Sequence, residues 1–248
     1  MGYLHLHLMA AAVVALGALV QGVTGFGSAL VAMPLLLLFL KARVAVPLLI
    51  LNGLLITGYL SLDLRRHLQW DRIGPLFLGS LPGVAVGSLF LKEASDWVVK
   101  LLLGLILLGY ALFGLKGSLP SLGLGRGWGY VAGFFTGAIG AAFSAGGPPV
   151  IIYTTLTGWS KDSIKATLSG FFFINGLVIA AAHLVTGLTT WRVVGFLPFT
   201  LPVTLAGVAV GSLFYGRLPR EGYLKAVYLL LLMMGGMMLI SAYRGAPA

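Results

Sequence analysis

The chain contains no cysteine and little charge of either sign. Only 9% of its 248 residues are charged, with 6 acidic and 16 basic side chains, against about 25% in a typical soluble domain. The absence of cysteine excludes disulfides, thiolate catalysis and cysteine-ligated metals. The four histidines show no metal-ligand spacing with carboxylates. We therefore expect neither a metal nor a cofactor.

Carboxylates are missing from the apolar stretches, and all charged residues lie between or at the ends of them. Proton-coupled carriers often place a carboxylate at membrane depth. A hydrolase of the serine type needs a nucleophile partnered with a base, and Ser144 has no histidine in its own stretch. We expect no enzyme. A coupling ion, H⁺ or Na⁺, stays open but would have to act without a buried carboxylate.

Apolar residues dominate what is present. They make up 59% of the chain, and the mean hydropathy is +1.02. A membrane-spanning helix needs about 20 apolar residues. This composition predicts an all-α polytopic protein of the inner membrane, multi-pass and embedded in the lipid bilayer. The apolar stretches number about eight and cover residues 8–40, 44–62, 73–91, 97–115, 128–157, 164–186, 193–214 and 222–241.

The ends of these stretches bear on topology and partners. The first one lacks a preceding Lys or Arg region, so we read it as a membrane element rather than a removed leader. The net charge of +10 comes from short basic clusters between stretches, where basic residues set topology and meet anionic lipids. We expect no nucleic-acid binding. The sequence does not set the number of subunits.

The chain contains an internal repeat. The octapeptide GVAVGSLF occurs at 83–90 and again at 207–214. Other matches support the duplication with small gaps: Asn52-Gly53-Leu54 with Asn175-Gly176-Leu177, and Gly22, Gly25 and Pro34 with Gly137, Gly140 and Pro149. Internal repeats are common in transporter folds. We predict two homologous four-segment halves, 1–115 and 129–248, joined by a linker at 116–128.

The first segment of each half is unusually long and is interrupted by small residues. These segments cover 8–40 and 128–157, and the second contains AFSAGGPPVII. Glycine and proline disfavour a helix interior, so each segment is predicted to be a broken helix. If each turns back into the membrane, the halves are inverted; if each crosses, they are parallel. The distribution of basic residues favours the re-entrant, inverted arrangement.

Neutral polar groups and helix ends near these breaks form the predicted site. A half-helix beginning near Gly27 or Pro148 presents unpaired N–H groups and the positive end of its dipole, which suits an anion. The alternative is close helix packing by small residues and asparagine, and for Asn52 and Asn175 the two interpretations are balanced. The predicted substrate-binding residues are Gln21, Thr24, Gly25, Phe26, Gly27, Ser28, Asn52, Ser144, Ala145, Gly146, Gly147, Pro148 and Asn175.

Two further features are interpreted structurally. The Gly-x-x-x-Gly spacings inside the two GVAVGSLF copies favour close helix packing. The basic residues beside the long segments are predicted to anchor at lipid headgroups, with an electrostatic funnel for an anion as the alternative. These residues are Lys41, Arg43, Lys161 and Lys165.

Three motifs together resemble the sulfite exporter TauE/SafE family, also called the toluene sulfonate uptake permease family. They are QGVTGFGSALVAMPLL, GAIGAAFSAGGPPVIIYTTLTG and KATLSGFFFINGL. The resemblance covers essentially the whole chain. It implies a prokaryotic inner-membrane transporter of small sulfur-containing anions such as sulfite, thiosulfate or organosulfonates. Some relatives are thought to use cysteines in the pathway, and this chain has none to carry that role.

These features predict a secondary transporter that moves a small anion, a sulfur oxyanion or organosulfonate, by alternating access. The anion would be held near the membrane midplane by half-helix N-termini and neutral polar groups. A passive channel for a small solute is the main alternative. A membrane enzyme or assembly subunit is a weaker one, since the sequence shows no catalytic constellation.

Overall fold

A computed structural model describes residues 3–63, 65–116, 123–157, 159, 161–214 and 220–246. Within these ranges the chain forms helices and no strand, as the composition predicts. Residues 117–122, which make up half of the predicted linker, lie outside them. The α-helices are α1 (Tyr3–Thr24), α2 (Ser28–Leu36), α3 (Ala42–Asp63), α4 (Trp70–Glu93), α5 (Asp96–Leu115), α6 (Arg126–Phe143), α7 (Gly147–Leu156), α8 (Lys161–Val185), α9 (Trp191–Val194), α10 (Leu197–Leu213) and α11 (Arg220–Gly245).

Six of these helices are long and apolar enough to cross a membrane: α1, α3, α4, α5, α8 and α11. All eight apolar stretches of the sequence contain a helix. The two stretches without a candidate span hold α6, which is rich in glycine, and α10, which has 17 residues. Large apolar side chains such as Leu89 and Met233 are exposed, as expected for surfaces that face lipid rather than water.

The helices pack mainly in pairs that join the two halves. In these pairs α1 lies against α10, α4 against α6, α5 against α11, and α3 against α8. Each pair takes one helix from residues before the predicted linker and one from residues after it. The two parts of the chain therefore share one interior rather than forming separate domains.

Glycine seams make two of these contacts very close. A Cβ atom at Gly83 or Gly87 would overlap the backbone oxygen of Phe134 or Ala138 on α6. On the other side of the molecule, a Cβ at Gly207 would lie 2.8 Å from the carbonyl oxygen of Ala15 on α1. The packing interpretation of the GVAVGSLF copies is confirmed: both copies let two helix backbones touch.

Candidate functional site

The first interruption is a glycine turn between α1 and α2. Gly25 and Gly27 have φ angles of 86° and 95°, which favour glycine because a Cβ is strained there. The chain then turns back, since a Cβ at Gly17 of α1 would lie 3.1 Å from the Cβ of Ala32 of α2. Side chains stabilise this turn. The Thr24 hydroxyl donates to the Val20 carbonyl at 2.8 Å and accepts from the N–H of Phe26 at 3.2 Å.

The second interruption lies between α6 and α7 and is built differently. Ser144 adopts a φ of 57°, the only non-glycine residue with a positive φ in the described ranges, and its N–H donates to the Gly140 carbonyl at 2.8 Å. A Cβ at Gly146 would lie 3.0 Å from the Cα of Gly140, so α7 begins against the side of α6. From α8, His183 donates its Nε2–H to the Ala141 carbonyl at 3.0 Å, satisfying one of the last carbonyls of α6.

The two helices that follow these turns differ in their free backbone donors. The first N–H groups of a helix have no carbonyl partner within it. In α2 these belong to Ser28, Ala29 and Leu30, and no side chain caps them. In α7 the second and third residues are Pro148 and Pro149, which have no N–H. The start of α2 is therefore rich in donors, and the start of α7 is poor in them.

Both helix starts line one cavity of about 90 Å³. Its polar lining is neutral, and none of the described side chains in the lining carries a charge. Apolar residues close the remaining walls. The lining residues are Gln21, Gly27, Ser28, Ala29, Leu30, Leu49, Ile50, Gly53, Leu54, Thr57, Thr136, Gly140, Ser144, Ala145, Gly146, Gly147, Phe172, Asn175, Gly176 and Ile179.

Two buried polar atoms in this lining have no hydrogen-bond partner among the described residues. They are the hydroxyl of Thr136 and Oδ1 of Asn175, on side chains that are 1% and 2% exposed. Buried polar groups are nearly always hydrogen-bonded, and leaving one unsatisfied costs about 1–3 kcal/mol. The cavity thus has unused hydrogen-bonding capacity beside two helix N-termini, an arrangement that can bind a small polar or anionic molecule.

Asn52 does not share this position, although its sequence context matches that of Asn175. Its Oδ1 accepts from the Thr204 hydroxyl at 2.8 Å, and its Nδ2 donates to the Leu48 carbonyl at 2.8 Å. Asn52 therefore joins α3 to α10 and lies outside the cavity lining. The helix-packing interpretation therefore applies to Asn52, whereas Asn175 lines the cavity.

The cavity brings together eight of the thirteen predicted site residues. Thr24 and Phe26 lie within the first turn instead, and Gly25 and Pro148 are buried behind the lining. The prediction missed several apolar and small lining residues. Gly53 and Gly176 could have been found, because each follows an asparagine in the matched Asn-Gly-Leu triplets. Of the predicted substrate-binding residues, those in the cavity lining are Gln21, Gly27, Ser28, Ser144, Ala145, Gly146, Gly147 and Asn175.

The basic residues beside the two turns fall into different environments. Lys41 and Arg43 are exposed, as anchors at a membrane surface should be. The side chain of Lys161 lies outside the described set. Lys165 is only 6% exposed, so the prediction that it anchors at lipid headgroups is wrong. Its place is inside the protein, against the first turn.

A sequence model described as sulfite exporter TauE/SafE matches residues 9–238. The chain belongs to the TauE/SafE sulfite exporter family. TauE/SafE proteins are membrane transporters rather than enzymes, and their substrates are small anions. The family and the six candidate spans together make this chain a multi-pass protein of the inner membrane. A search of curated proteins and a search of solved structures each find no match.

Proposed function

We propose that this TauE/SafE protein is a secondary transporter of a small sulfur oxyanion or organosulfonate, which binds in the cavity between the starts of α2 and α7. One observation carries the proposal. Two helix N-termini, the unpartnered Thr136 hydroxyl and the unpartnered Oδ1 of Asn175 line a single cavity whose described side chains are uncharged. Helix N-termini bind anions because their N–H groups and dipoles point at the ligand.

The binding geometry favours a small ligand. A cavity of about 90 Å³ is well below the roughly 300–1,000 Å³ of a typical small-molecule pocket, which suits sulfite better than a bulky aryl sulfonate. The N–H groups of Ser28, Ala29 and Leu30 are the main donors in this proposal. The Thr136 hydroxyl supplies a side-chain donor, and a 180° rotation of the Asn175 amide presents its Nδ2–H.

The proposal of alternating access around this site includes two inverted halves. The helix pairing is unchanged when the halves are exchanged, with α1 matched to α6, α2 to α7, α3 to α8, α4 to α10 and α5 to α11. Both α2 and α7 fold back on the helix before them. If α1–α2 and α6–α7 are re-entrant hairpins, each half adds three spans and the halves are inverted. Relative motion of the halves would then open the cavity to each side in turn.

The test is flux of labelled sulfite and small organosulfonates into proteoliposomes that contain the purified full chain. We expect saturable flux, together with counterflow driven by unlabelled anion on the opposite side. Imposed H⁺ or Na⁺ gradients identify the coupling ion. Non-saturable flux without counterflow would favour the passive channel, and no flux of any anion by folded protein would overturn the proposal.

A further inference from the structure

Lys165 is a buried cation in a protein whose charged residues otherwise collect between the apolar stretches. It is the third residue of the candidate span Ser163–Val185 and is only 6% exposed. Lysines near the ends of membrane spans normally extend to the interface, so burial of this one inside the protein indicates a different role. A lysine needed only for solubility or topology would lie at the surface, as Lys41 does.

The first turn is shaped around this lysine. A Cβ atom at Gly25 would lie 2.9 Å from Cγ and 3.2 Å from Cε of Lys165. The alkyl chain of Lys165 therefore lies directly on the backbone of Gly25, where a larger residue would displace it. Two and three residues further along the chain, Gly27 and Ser28 line the cavity. One short turn thus separates the lysine from the site.

Lys165 also shares a helix face with part of the cavity wall. Positions i, i+4, i+7 and i+11 lie on one side of an α-helix, and on α8 they are Lys165, Ser169, Phe172 and Gly176. Phe172 and Gly176 line the cavity. With a rise of 1.5 Å per residue, Lys165 lies about 10 Å along the helix from Phe172.

Ser169 lies between them on this face. Its side chain is fully buried, and its hydroxyl has no hydrogen-bond partner in the part of the chain that the structure describes. A buried hydroxyl between a cation and an anion cavity is placed to donate to a passing oxyanion. The charge, the hydroxyl and the cavity wall follow one another along α8.

We propose that Lys165 and Ser169 form an outer anion station on α8, beside the α1–α2 turn, through which the oxyanion enters or leaves the cavity. The inference rests on the proposed function and adds to it the charge that the cavity lining lacks. The lysine attracts and selects the anion, while the uncharged inner cavity holds it by backbone and hydroxyl donors. An uncharged inner site keeps release easy, because no ion pair has to be broken there.

The experiment measures KM and kcat for labelled sulfite in proteoliposomes with the full chain carrying K165M, S169A or K100M. K165M removes the charge and keeps an unbranched side chain of similar length. K100M is the matched control, because Lys100 donates to Ser241 at 3.0 Å in the contact between α5 and α11, away from the cavity. Thermal unfolding of each purified variant reports on folding.

We expect K165M to raise KM for sulfite about tenfold with a smaller change in kcat, S169A to raise KM about threefold, and K100M to leave KM unchanged. A lysine with a purely structural role would instead lower the unfolding temperature without moving KM. If K165M does not fold, S169A carries the test. With active wild type, unchanged KM in the folded variants overturns this inference alone; no sulfite flux by the wild type overturns it together with the proposed function.

Discussion

The two turns beside the cavity both reverse the chain between two helices, but different residues form them. The α1–α2 turn places glycines at its positive φ angles, is tied by the Thr24 hydroxyl, and leads into a helix with three free N–H groups. The α6–α7 turn places Ser144 at a positive φ and leads into a helix whose first turn contains two prolines. Close backbone contact between Gly146 and α6 stabilises this second turn.

Because of this difference, α2 and α7 contribute differently to anion binding, although the sequence alone predicted the same contribution from both. A helix N-terminus contributes both its dipole and its N–H groups. Prolines leave the dipole of α7 in place but remove two donors, whereas α2 keeps both contributions. We infer that α2 provides most of the hydrogen bonds to the anion, and that α7 provides a rigid, positively polarised wall.

Blocking the cavity from the α7 side should have the largest effect. Gly147 lines the cavity and has a φ outside the left-handed region, and its nearest obstacle to a Cβ is the end of the Ile151 side chain at 3.3 Å. We expect G147L to fold and to lose sulfite flux by about a hundredfold or more, because the added side chain occupies the space of the ligand.

The matched control for G147L is G109L. Gly109 is an exposed residue of α5 with open space around it, so the same substitution should leave flux unchanged. Retained flux in G147L at normal expression would show that the anion does not pass this wall.

Exchanging the donor pattern of the two helices tests the comparison itself. A29P gives the second position of α2 the proline that α7 has naturally, and proline is tolerated in a first helical turn. A hydrogen bond to a charged group is worth about 1.5–3 kcal/mol, so we expect KM for sulfite to rise about tenfold or more.

The reciprocal change, P148A, adds an N–H to the start of α7. We expect it to leave KM unchanged or to lower it slightly, as measured in the same flux assay. A larger loss in P148A than in A29P would reverse the assignment and make α7 the main donor helix.

The matched asparagines should separate transport from stability. N175A removes a cavity group and should raise KM about fivefold with little change in unfolding temperature. N52A breaks the contact with Thr204 and should lower stability, by about 0.6 kcal/mol for a typical hydrogen bond between membrane helices, with KM unchanged. Flux kinetics and thermal unfolding of both variants check this, and equal KM shifts would contradict the separation.

The last pair of variants concerns the backbone of the turns, where we expect changes in stability rather than a direct loss of ligand contacts. G25A forces a Cβ into a left-handed conformation and against Lys165, so it should destabilise the protein by at least about 1 kcal/mol. S144G relieves the same kind of strain and should stabilise the second turn slightly. Thermal unfolding of the two variants should shift in opposite directions. A stabilised G25A would contradict the geometry of the first turn.

Structural features that depend on short-range patterns could be predicted from the sequence. Runs of apolar residues predicted the helices, and small residues predicted an interruption in each long segment; α1 ends at Thr24 and α6 at Phe143. The two asparagines could not be told apart, because the partner of Asn52 is Thr204, 152 positions away. Burial of Lys165 was equally hidden, since it depends on the contact of α8 with Gly25. Pro148 and Pro149 already showed in the sequence that the start of α7 has few N–H donors. Only the comparison with α2 indicated that the two helices would then differ in how they bind an anion.

The most direct test of the account is the position of a bound anion. Selenite has the shape of sulfite and scatters anomalously, so a crystal structure of the protein grown with selenite locates the anion without ambiguity. We predict a selenium peak in the cavity, with an anion oxygen about 2.7–3.2 Å from the amide nitrogens of Ser28 and Ala29. A peak elsewhere in the protein, with this cavity filled by water alone, would contradict the account.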